Sequence, residues 1–299
     1  MNLCSKLGLG TVQWGMSYGI ANLAGHRPAS SEIEHMLRQS HEAGVGLLDT
    51  AQVYGEAESV IGQHALSLQG WRIVTKTMPL PAGVDARVAI DVVAGAFHQS
   101  LARLKCSCVY GLLVHRSEDL MDTRGELLWA LLEELKLRGL VSKIGVSVYD
   151  PHELDLVFAN RSVDIVQVPF NLYDQRVLRT GWLERMRRMG VEIHARSAFL
   201  QGLLLMPVDR LPAQFTRWRD HHQKLHSEWK RGDVAPLVGS LRFCLEQPML
   251  DRVIVGCETP AQLEEILQAA ASDSDGLLDA ASFSVEDGDI IDPRRWVKH

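Results

Sequence analysis

Short apolar runs alternate with amphipathic stretches along almost the whole chain. The runs are typical of buried strands, and the stretches between them place apolar residues at helical spacing, as Leu128, Leu131, Leu132 and Leu135 do. The predicted strands cover residues 7–11, 45–48, 71–75, 109–114, 144–148, 164–168, 191–195 and 252–255. Eight strands alternating with helices, in units of roughly 25 to 40 residues, predict an α/β protein of the closed (β/α)8 TIM barrel type.

Two segments break this alternation. The polar stretch 211–233 precedes the last helix-strand unit and is predicted to be a lid-like insertion, and residues 272–299 are predicted to form an acidic C-terminal tail. Since no linker interrupts the chain, the sequence predicts one domain over residues 1–299. An open doubly wound sheet with a separate C-terminal domain is the alternative, but Gly8-Leu9-Gly10 lacks the third glycine of a dinucleotide-binding GxGxxG motif.

Composition narrows the class of protein further. The 299 residues are 46% hydrophobic and 23% charged, which is ordinary for a globular protein. A net charge of -6 argues against a nucleic-acid or anionic membrane partner, and no apolar run is long enough to span a bilayer. Five cysteines without a CxxC pair, and a first segment unlike a signal peptide, predict a reducing, cytoplasmic location. Oligomeric state is not predicted.

Polar side chains stand at the ends of three successive predicted strands. Asp49 and Tyr54 follow the second strand, Lys76 ends the third and His115 follows the fourth. Because the carboxyl ends of parallel strands open on one face, we expect these four side chains to converge.

Together the four side chains suit proton transfer to a carbonyl group. A phenol has a pKa near 10, and a nearby ammonium group lowers that pKa. Lys76 is expected to supply the cation, Asp49 its counter-charge, and His115 a hydrogen bond to the carbonyl oxygen. The set therefore predicts carbonyl reduction with Tyr54 as the proton donor. Singly, each residue has an ordinary alternative, such as packing for Tyr54 or a turn for Asp49.

These residues carry a resemblance to the aldo-keto reductase family. The run Leu-Asp-Thr-Ala-Gln-Val-Tyr-Gly at 48–55, followed by the lysine and the histidine of the next two strands, is a specific signature. The similarity extends from Leu-Gly-Leu-Gly-Thr at 7–11 to Val-Gly-Cys-Glu-Thr-Pro-Ala-Gln-Leu-Glu-Glu at 255–265. The resemblance implies a general acid at Tyr54, tuned by Lys76 and Asp49, and a nicotinamide dinucleotide bound without a Rossmann domain.

The resemblance also implies which residues contact the dinucleotide and the substrate. Ser147 and Gln167 are expected to hold the carboxamide, and Arg196 stands where many members stack an aromatic ring on the nicotinamide. The predicted cofactor-binding residues are Gly10, Thr11, Ser147, Gln167, Arg196, Ser197, Leu200, Gly202, Gly256, Thr259, Gln262 and Glu265. Trp14 is predicted to line the substrate mouth with His115, and a place in the core is the alternative for Trp14.

The chain departs from the family pattern at two places. Val148 follows Ser147 where many members have asparagine. The adenosine end offers Gly256 and Gln262, with Glu258 nearby, where a Lys and Arg pair commonly grips the 2′-phosphate of NADP. The resemblance to the family implies NADPH as the cofactor, with NADH as the alternative. Arg196 or a cation of the insertion, such as Arg217, Arg219 or Lys230, would then replace the missing pair.

The sequence thus predicts an NAD(P)H-dependent reductase of aldehydes or ketones, with a small-molecule carbonyl substrate. The segment 9–20 most resembles bacterial members associated with sugar metabolism, so a sugar-derived carbonyl is the expected substrate. A dinucleotide-binding redox sensor or regulatory protein with slow turnover is the alternative. No metal is predicted: His222 and His226 have a spacing that suits zinc on a helix, but no third ligand is evident.

Overall fold

All eight predicted strands are present in the computed structural model, which describes residues 3–20, 27–64, 69–272 and 279–296. They are β1 (Leu7–Gly10), β2 (Leu47–Asp49), β3 (Arg72–Lys76), β4 (Val109–Val114), β5 (Val141–Ser147), β6 (Ile165–Pro169), β7 (Glu192–Arg196) and β8 (Arg252–Gly256). Each strand pairs in parallel with its neighbours in chain order, and β1 pairs with β8. The sheet therefore closes into the predicted (β/α)8 barrel.

Helices connect the strands on the outside of the barrel. Those in the described part of the chain are α1 (Val12–Gly15), α2 (Ser30–Glu42), α3 (Ala57–Gln63), α4 (Ala86–Leu104), α5 (Glu118–Met121), α6 (Gly125–Leu137), α7 (Pro151–Asn160), α8 (Arg176–Arg179), α9 (Trp182–Arg188), α10 (Arg219–Arg231), α11 (Pro236–Leu245), α12 (Pro260–Ala271) and α13 (Gly288–Ile291). The one-turn helices were not predicted, because four residues are too few to show a period. The sequence predicts a helix over residues 56–68 that corresponds to α3, and the predicted end at Leu68 lies outside the described residues. Among the described helices, none is long and apolar enough to cross a membrane.

Local sequence explains where the longer helices begin. Asp85 caps α4 by accepting a hydrogen bond from Arg87 N at 2.8 Å. At α7, Asp150 accepts from His152 N while Glu153 accepts from Asp150 N, and Pro151 occupies the first helical position. These caps fix where the loops after β3 and β5 end and the helices α4 and α7 begin.

The barrel interior has an apolar layer beneath a polar one. Leu47, Val74, Leu113, Ile165 and Ile254 form a separate buried cluster inside the sheet. Side chains two residues apart on a strand share a face. Asp49, Lys76 and Gln167 each lie two residues beyond a member of this cluster, so they also face inward, at the carboxyl ends of their strands.

The predicted insertion and tail pack together into a second hydrophobic cluster. Its buried members are Leu172, Tyr173, Leu200, Leu203, Leu204, Leu211, Phe215, Leu225, Trp229, Phe283, Ile290, Ile291 and Trp296. The insertion forms a 3₁₀ helix, Ala213–Trp218, followed by α10, which buries Leu225 and Trp229 in the cluster. The insertion is therefore a packed part of the fold, and its closing as a lid stays a prediction. Of the predicted tail, residues 273–278 and 297–299 lie outside the described part.

Candidate active site

A buried ion pair joins the ends of β2 and β3. Lys76 Nζ donates to Asp49 Oδ2 at 2.7 Å and to the carbonyl oxygen of Thr50 at 2.9 Å. Gln167 Nε2 donates to the second carboxylate oxygen of Asp49, also at 2.7 Å. Burial lowers the pKa of Lys76, while the charge and the hydrogen bond of Asp49 oppose that shift. The pair thus places a cation next to its own counter-charge at the base of the site.

Tyr54 lies over this pair and beside His115. Lys76 Nζ is 5.0 Å from the centroid of the Tyr54 ring. The Tyr54 and His115 rings meet edge to face, with centroids 5.8 Å apart. One cavity is lined by three of the four predicted proton-transfer side chains: Asp49, Tyr54 and His115. The fourth, Lys76, is bonded to Asp49. The convergence expected from the strand ends is therefore present.

The ionisation of Tyr54 differs from the sequence-based expectation. Burial, followed by the Asp49 carboxylate, raises the pKa of Tyr54 above its usual value, and Arg196 only partly opposes this. Lys76 is not among the charges that shift the pKa of Tyr54, and its Nζ lies 2.7 Å from the Asp49 carboxylate. Burial, then the charges of Lys76 and Arg196, lowers the pKa of His115 to about 3. The site therefore holds a protonated phenol next to a neutral imidazole.

A cavity of about 550 Å³ contains this site and most of the residues expected to bind a dinucleotide. The predicted cofactor residues that line it are Gly10, Thr11, Ser147, Gln167, Arg196, Ser197, Gly202, Gly256, Gln262 and Glu265. Its volume lies within the range of small-molecule and cofactor sites.

Three predicted site residues have side chains that do not line the cavity. Trp14 is 1% exposed and belongs to the main core, so α1 turns its indole away from the cavity that it was expected to line. The side chain of Leu200 is fully buried in the second cluster. Thr259 caps α12, its hydroxyl accepting from Gln262 N at 3.2 Å. None of these three side chains lines the cavity.

Sequence reasoning missed several polar residues of the cavity wall. Tyr149 lines the cavity directly after Ser147 and Val148, where the strand-end rule that found Lys76 applies equally well. Tyr18 and Gln201 also line it, joined by a hydrogen bond from Gln201 Nε2 to the Tyr18 hydroxyl at 3.2 Å. That pair joins positions 183 residues apart, and no local pattern indicates it.

The segment after β7 has an unusual backbone. Ser197, Leu200 and Gln201 all have positive φ angles, of 62°, 49° and 55°. Such angles are uncommon for residues other than glycine and cluster at ligand-binding sites. Asn171 holds the segment by donating from Nδ2 to the carbonyl oxygen of Ser197 at 3.1 Å. Asn171 therefore acts on the loop that borders the cavity.

The residues of the cavity fit a nicotinamide dinucleotide. Ser147 and Gln167 present a hydroxyl and an amide side by side, with Ser147 Oγ 3.5 Å from Gln167 Oε1. Gln13 lines the cavity, and its buried Oε1 has no hydrogen-bond partner among the described residues. Gly256 keeps space next to Gln13, because a Cβ there would lie 2.6 Å from the Gln13 amide. Unsatisfied buried polar atoms and a side-chain-free cradle are features of a site that receives a polar ligand.

His222 and His226 do not face a shared ligand position. Their Nε2 atoms bond to the carbonyl oxygens of Met206 at 2.8 Å and Leu204 at 3.1 Å, and His222 Nδ1 bonds to the Tyr173 hydroxyl. In the described part of the chain, no group of three or more His, Cys, Asp or Glu could hold a metal ion. The two histidines therefore tie α10 to the segment before it.

Known proteins resemble this chain over most of its length. It is 26% identical over 254 residues to the uncharacterized oxidoreductase YqkF of Bacillus subtilis, covering 79% of this chain and 81% of that protein. It is 29% identical over 231 residues to the aldo-keto reductase str7 of Strobilurus tenacellus, covering 72% of this chain and 66% of that protein.

A solved structure shares the fold. The aldo-keto reductase AKR11C1 from Bacillus halodurans superimposes with a TM-score of 0.72 at 20% identity, covering 93% of this chain and 89% of that one. The sequence pattern of the aldo/keto reductase family matches residues 6–275. The chain therefore belongs to the aldo/keto reductase family, whose members are oxidoreductases that use nicotinamide cofactors.

Proposed function

We propose that this protein reduces an aldehyde or ketone to an alcohol with a nicotinamide dinucleotide, and that Tyr54 is the general acid. The observation that carries the proposal is the placement of the Tyr54 ring 5.0 Å from Lys76 Nζ and 5.8 Å from the His115 ring in a cavity wall. When bound, the reduced nicotinamide supplies the hydride that the carbonyl carbon accepts.

Tyr54 then donates the proton that the carbonyl oxygen needs. Its raised pKa supports this direction, because the phenol keeps its proton at neutral pH until a stronger base forms. An alkoxide is such a base, and the ring that carries the resulting phenolate has its centroid 5.0 Å from Lys76 Nζ. Lys76 is held at that position by Asp49 and the Thr50 carbonyl oxygen, so the compensating cation is already in place.

His115 orients the carbonyl group as a neutral donor. With a pKa of about 3, its ring keeps one N–H donor and one free nitrogen throughout the neutral range. Neither its ring nor the Tyr54 hydroxyl has a hydrogen bond to another described residue in this structure. Both groups are therefore available to one oxygen atom in the cavity.

Charge at the β8–α12 side of the cavity bears on the choice of dinucleotide. Glu258 and Glu265 line the cavity there, whereas Arg217, Arg219 and Lys230 do not line it and Arg196 lies at the end of β7. Arg217, for example, is paired with Asp287 at 2.8 Å and Asp289 at 2.7 Å. A 2′-phosphate among carboxylates lacks a charge-assisted partner, whereas a ribose hydroxyl can donate to one. We therefore favour NADH over the NADPH that family habit predicts.

Replacing Tyr54 by phenylalanine tests the chemistry. Tyr54→Phe removes the proton donor and keeps the ring, so we expect kcat to fall at least about a hundredfold while dinucleotide binding stays nearly unchanged. Tryptophan fluorescence titration measures binding, and consumption of the reduced dinucleotide measures turnover. A variant that reduces every accepted carbonyl at the wild-type rate would falsify the proposed role of Tyr54.

The dinucleotide preference has its own measurement. We expect the wild type to bind NADH more tightly than NADPH, by about tenfold, because one charge-assisted contact is missing for the phosphate. Glu265→Lys should reduce or reverse the difference in affinity between NADH and NADPH, because it adds a cation to the cavity wall. NADPH binding tighter than that of NADH in the wild type would restore the family expectation.

A further inference from the structure

The charged side chains in the cavity wall are unevenly distributed. Among the described residues that line the cavity, those with a formal charge are Asp49, Arg196, Glu258 and Glu265. Lys76 neutralises Asp49, and the two glutamates belong to the β8–α12 side. Among the described residues, Arg196, at the end of β7, is the cation that lines this cavity. Its charge lowers the pKa of Tyr54, although burial and Asp49 have larger effects there. It also lowers the pKa of His115, where burial and Lys76 have larger effects.

The guanidinium group of Arg196 is held in a defined position. It donates to the Val148 carbonyl oxygen at 3.0 Å and to Ser197 Oγ at 3.2 Å. It also lies over the ring of Tyr149, with its central carbon 4.0 Å from the ring centroid. A guanidinium group has five N–H donors, and these contacts leave others for a ligand.

Tyr149 is itself fixed by the C-terminal segment. The guanidinium carbon of Arg294 lies 3.7 Å from the centroid of the same ring. Arg294 is neutralised by Asp292 at 2.8 Å and by Glu118 at 3.2 Å. The Tyr149 carbonyl oxygen accepts from Arg176 at 2.8 Å. Tyr149 therefore forms a rigid support for Arg196, built from residues that have their own charge partners.

Among the described residues, Arg196 has no such charge partner. In the described part of the chain, no carboxylate lies within 4.0 Å of it, although the arginines Arg176 and Arg294 each pair with two. The nearby carboxylate of Asp174 is taken by Arg176 at 2.8 Å. A half-buried cation bonded only to neutral atoms is poorly compensated, and an anion entering the cavity would complete its environment.

We infer that the substrate is an aldehyde or ketone that carries a carboxylate, which Arg196 binds while the carbonyl oxygen meets Tyr54 and His115. This inference rests on the proposed function and names its substrate class: oxo acids, semialdehydes and uronates. The phosphates of the dinucleotide have similar anionic oxygens. Because Arg196 lines the same cavity as Tyr54 and His115, we assign the anion to the substrate, and dinucleotide binding by Arg196 variants distinguishes the two sources.

Matched substrate pairs test the inference with the intact protein. One pair is succinic semialdehyde and methyl 4-oxobutanoate, and the other is D-glucuronate and D-glucuronamide. In each pair the second compound keeps the carbonyl group and loses the negative charge. We expect the acid to be preferred in kcat/KM by about tenfold to a hundredfold in at least one pair, as one charge-assisted contact provides. Equal rates in both pairs would overturn the inference.

Variants then assign the preference to Arg196. Arg196→Gln should abolish the preference for the acid, measured as the ratio of kcat/KM for the acid to kcat/KM for its neutral partner in the same variant, whereas Arg196→Lys should retain part of that preference. Arg116→Gln is the matched control, since Arg116 is an exposed cation next to His115 that does not line the cavity. It should keep the full preference.

Two further outcomes are decisive. If Arg196→Gln weakens NADH binding and slows acid and neutral substrates equally, Arg196 serves the dinucleotide and the inference is wrong. If the wild type reduces none of the four compounds and no other carbonyl, the proposed function itself fails. Reduction of neutral carbonyls with rejection of the acids would overturn the inference alone.

Discussion

Tyr54 keeps its proton because two effects on its hydroxyl act in the same direction. Burial disfavours the phenolate, and the Asp49 carboxylate disfavours it further. The residue types and their strand-end positions indicate a proton donor next to a cation. Their sequence positions do not reveal how closely Lys76 is paired with Asp49, because that depends on the 2.7 Å contact between two side chains.

The pKa directions at the site predict a flat pH profile for reduction. His115 has a pKa of about 3 and stays neutral above it, and the raised pKa of Tyr54 keeps the phenol protonated beyond its usual value. We therefore expect kcat/KM to vary less than about threefold between about pH 5.5 and pH 9, since this parameter reports the free enzyme. An inflection near pH 6.5 that disappears in His115→Gln would contradict the prediction.

The lowered pKa of His115 also determines how the stability of the folded protein changes with pH. The pKa of His115 in the folded protein lies below the usual value of about 6.5 in the unfolded chain. The unfolded chain therefore binds the proton first, so stability is complete above about pH 6.5 and declines as the pH falls toward 3. Urea unfolding of the wild type and of His115→Gln from pH 7 to pH 4 measures this difference.

At the scale of elements, α1 and the loop after β2 fit together through two glycines. A Cβ on Gly15 would lie 1.8 Å from the Tyr54 carbonyl oxygen and 2.5 Å from Ala57 N. Gly55 has a φ angle of +57°, which favours glycine, and a Cβ there would lie 2.5 Å from the Gly15 carbonyl oxygen. The position of Tyr54 therefore depends on this close backbone approach.

Gly15→Ala should displace the Tyr54 loop without touching a reacting group. Because the clash is with backbone atoms, we expect kcat to fall about tenfold to a hundredfold, as a shift near 1 Å can produce. Gly46→Ala is the control, since a Cβ at Gly46 meets nothing within 4 Å. Steady-state kinetics of both variants checks this. Normal turnover in Gly15→Ala would show that the loop adapts.

The spacing of apolar residues and the polar or glycine residues between apolar runs were enough to predict the eight strands. They did not predict where helices end or which way side chains point. The run around Trp14 illustrates the limit: the residue follows a strand end, as the site residues do, yet α1 turns it into the core, where it is 1% exposed. Thr259 similarly follows β8, but its hydroxyl caps α12. A one-turn helix or a cap redirects a side chain without changing the apolar pattern.

At the scale of the whole molecule, the second hydrophobic cluster joins the insertion, the C-terminal segment and the segment after β7. Leu225 and Trp229 of α10 pack with Leu200, Leu203 and Leu204, which surround the cavity residue Gly202. Contacts between segments so distant in sequence cannot be predicted from a polar insertion and an acidic tail. The same applies to the approach of Arg294 to Tyr149.

Leu225→Ala tests whether this cluster supports the cofactor site. Removing a fully buried leucine should lower the free energy of unfolding by about 2–5 kcal/mol. We also expect NADH to bind about tenfold more weakly, because the segment that borders the cavity loses packing. Leu128→Ala is the matched control: Leu128 is equally buried, but it lies on α6 in the main core. Equal NADH affinity in both variants would contradict the prediction.

Closure of the barrel through β1 and β8 has a consequence for biosynthesis. Until β8 leaves the ribosome, β1 and β7 present unpaired backbone edges, which are templates for association with other chains. At usual rates of translation, β1 waits on the order of ten seconds or more for its partner. The nascent chain therefore depends on chaperones or on its own helices to cover β1, and a fragment ending at residue 247 should aggregate where the full chain does not.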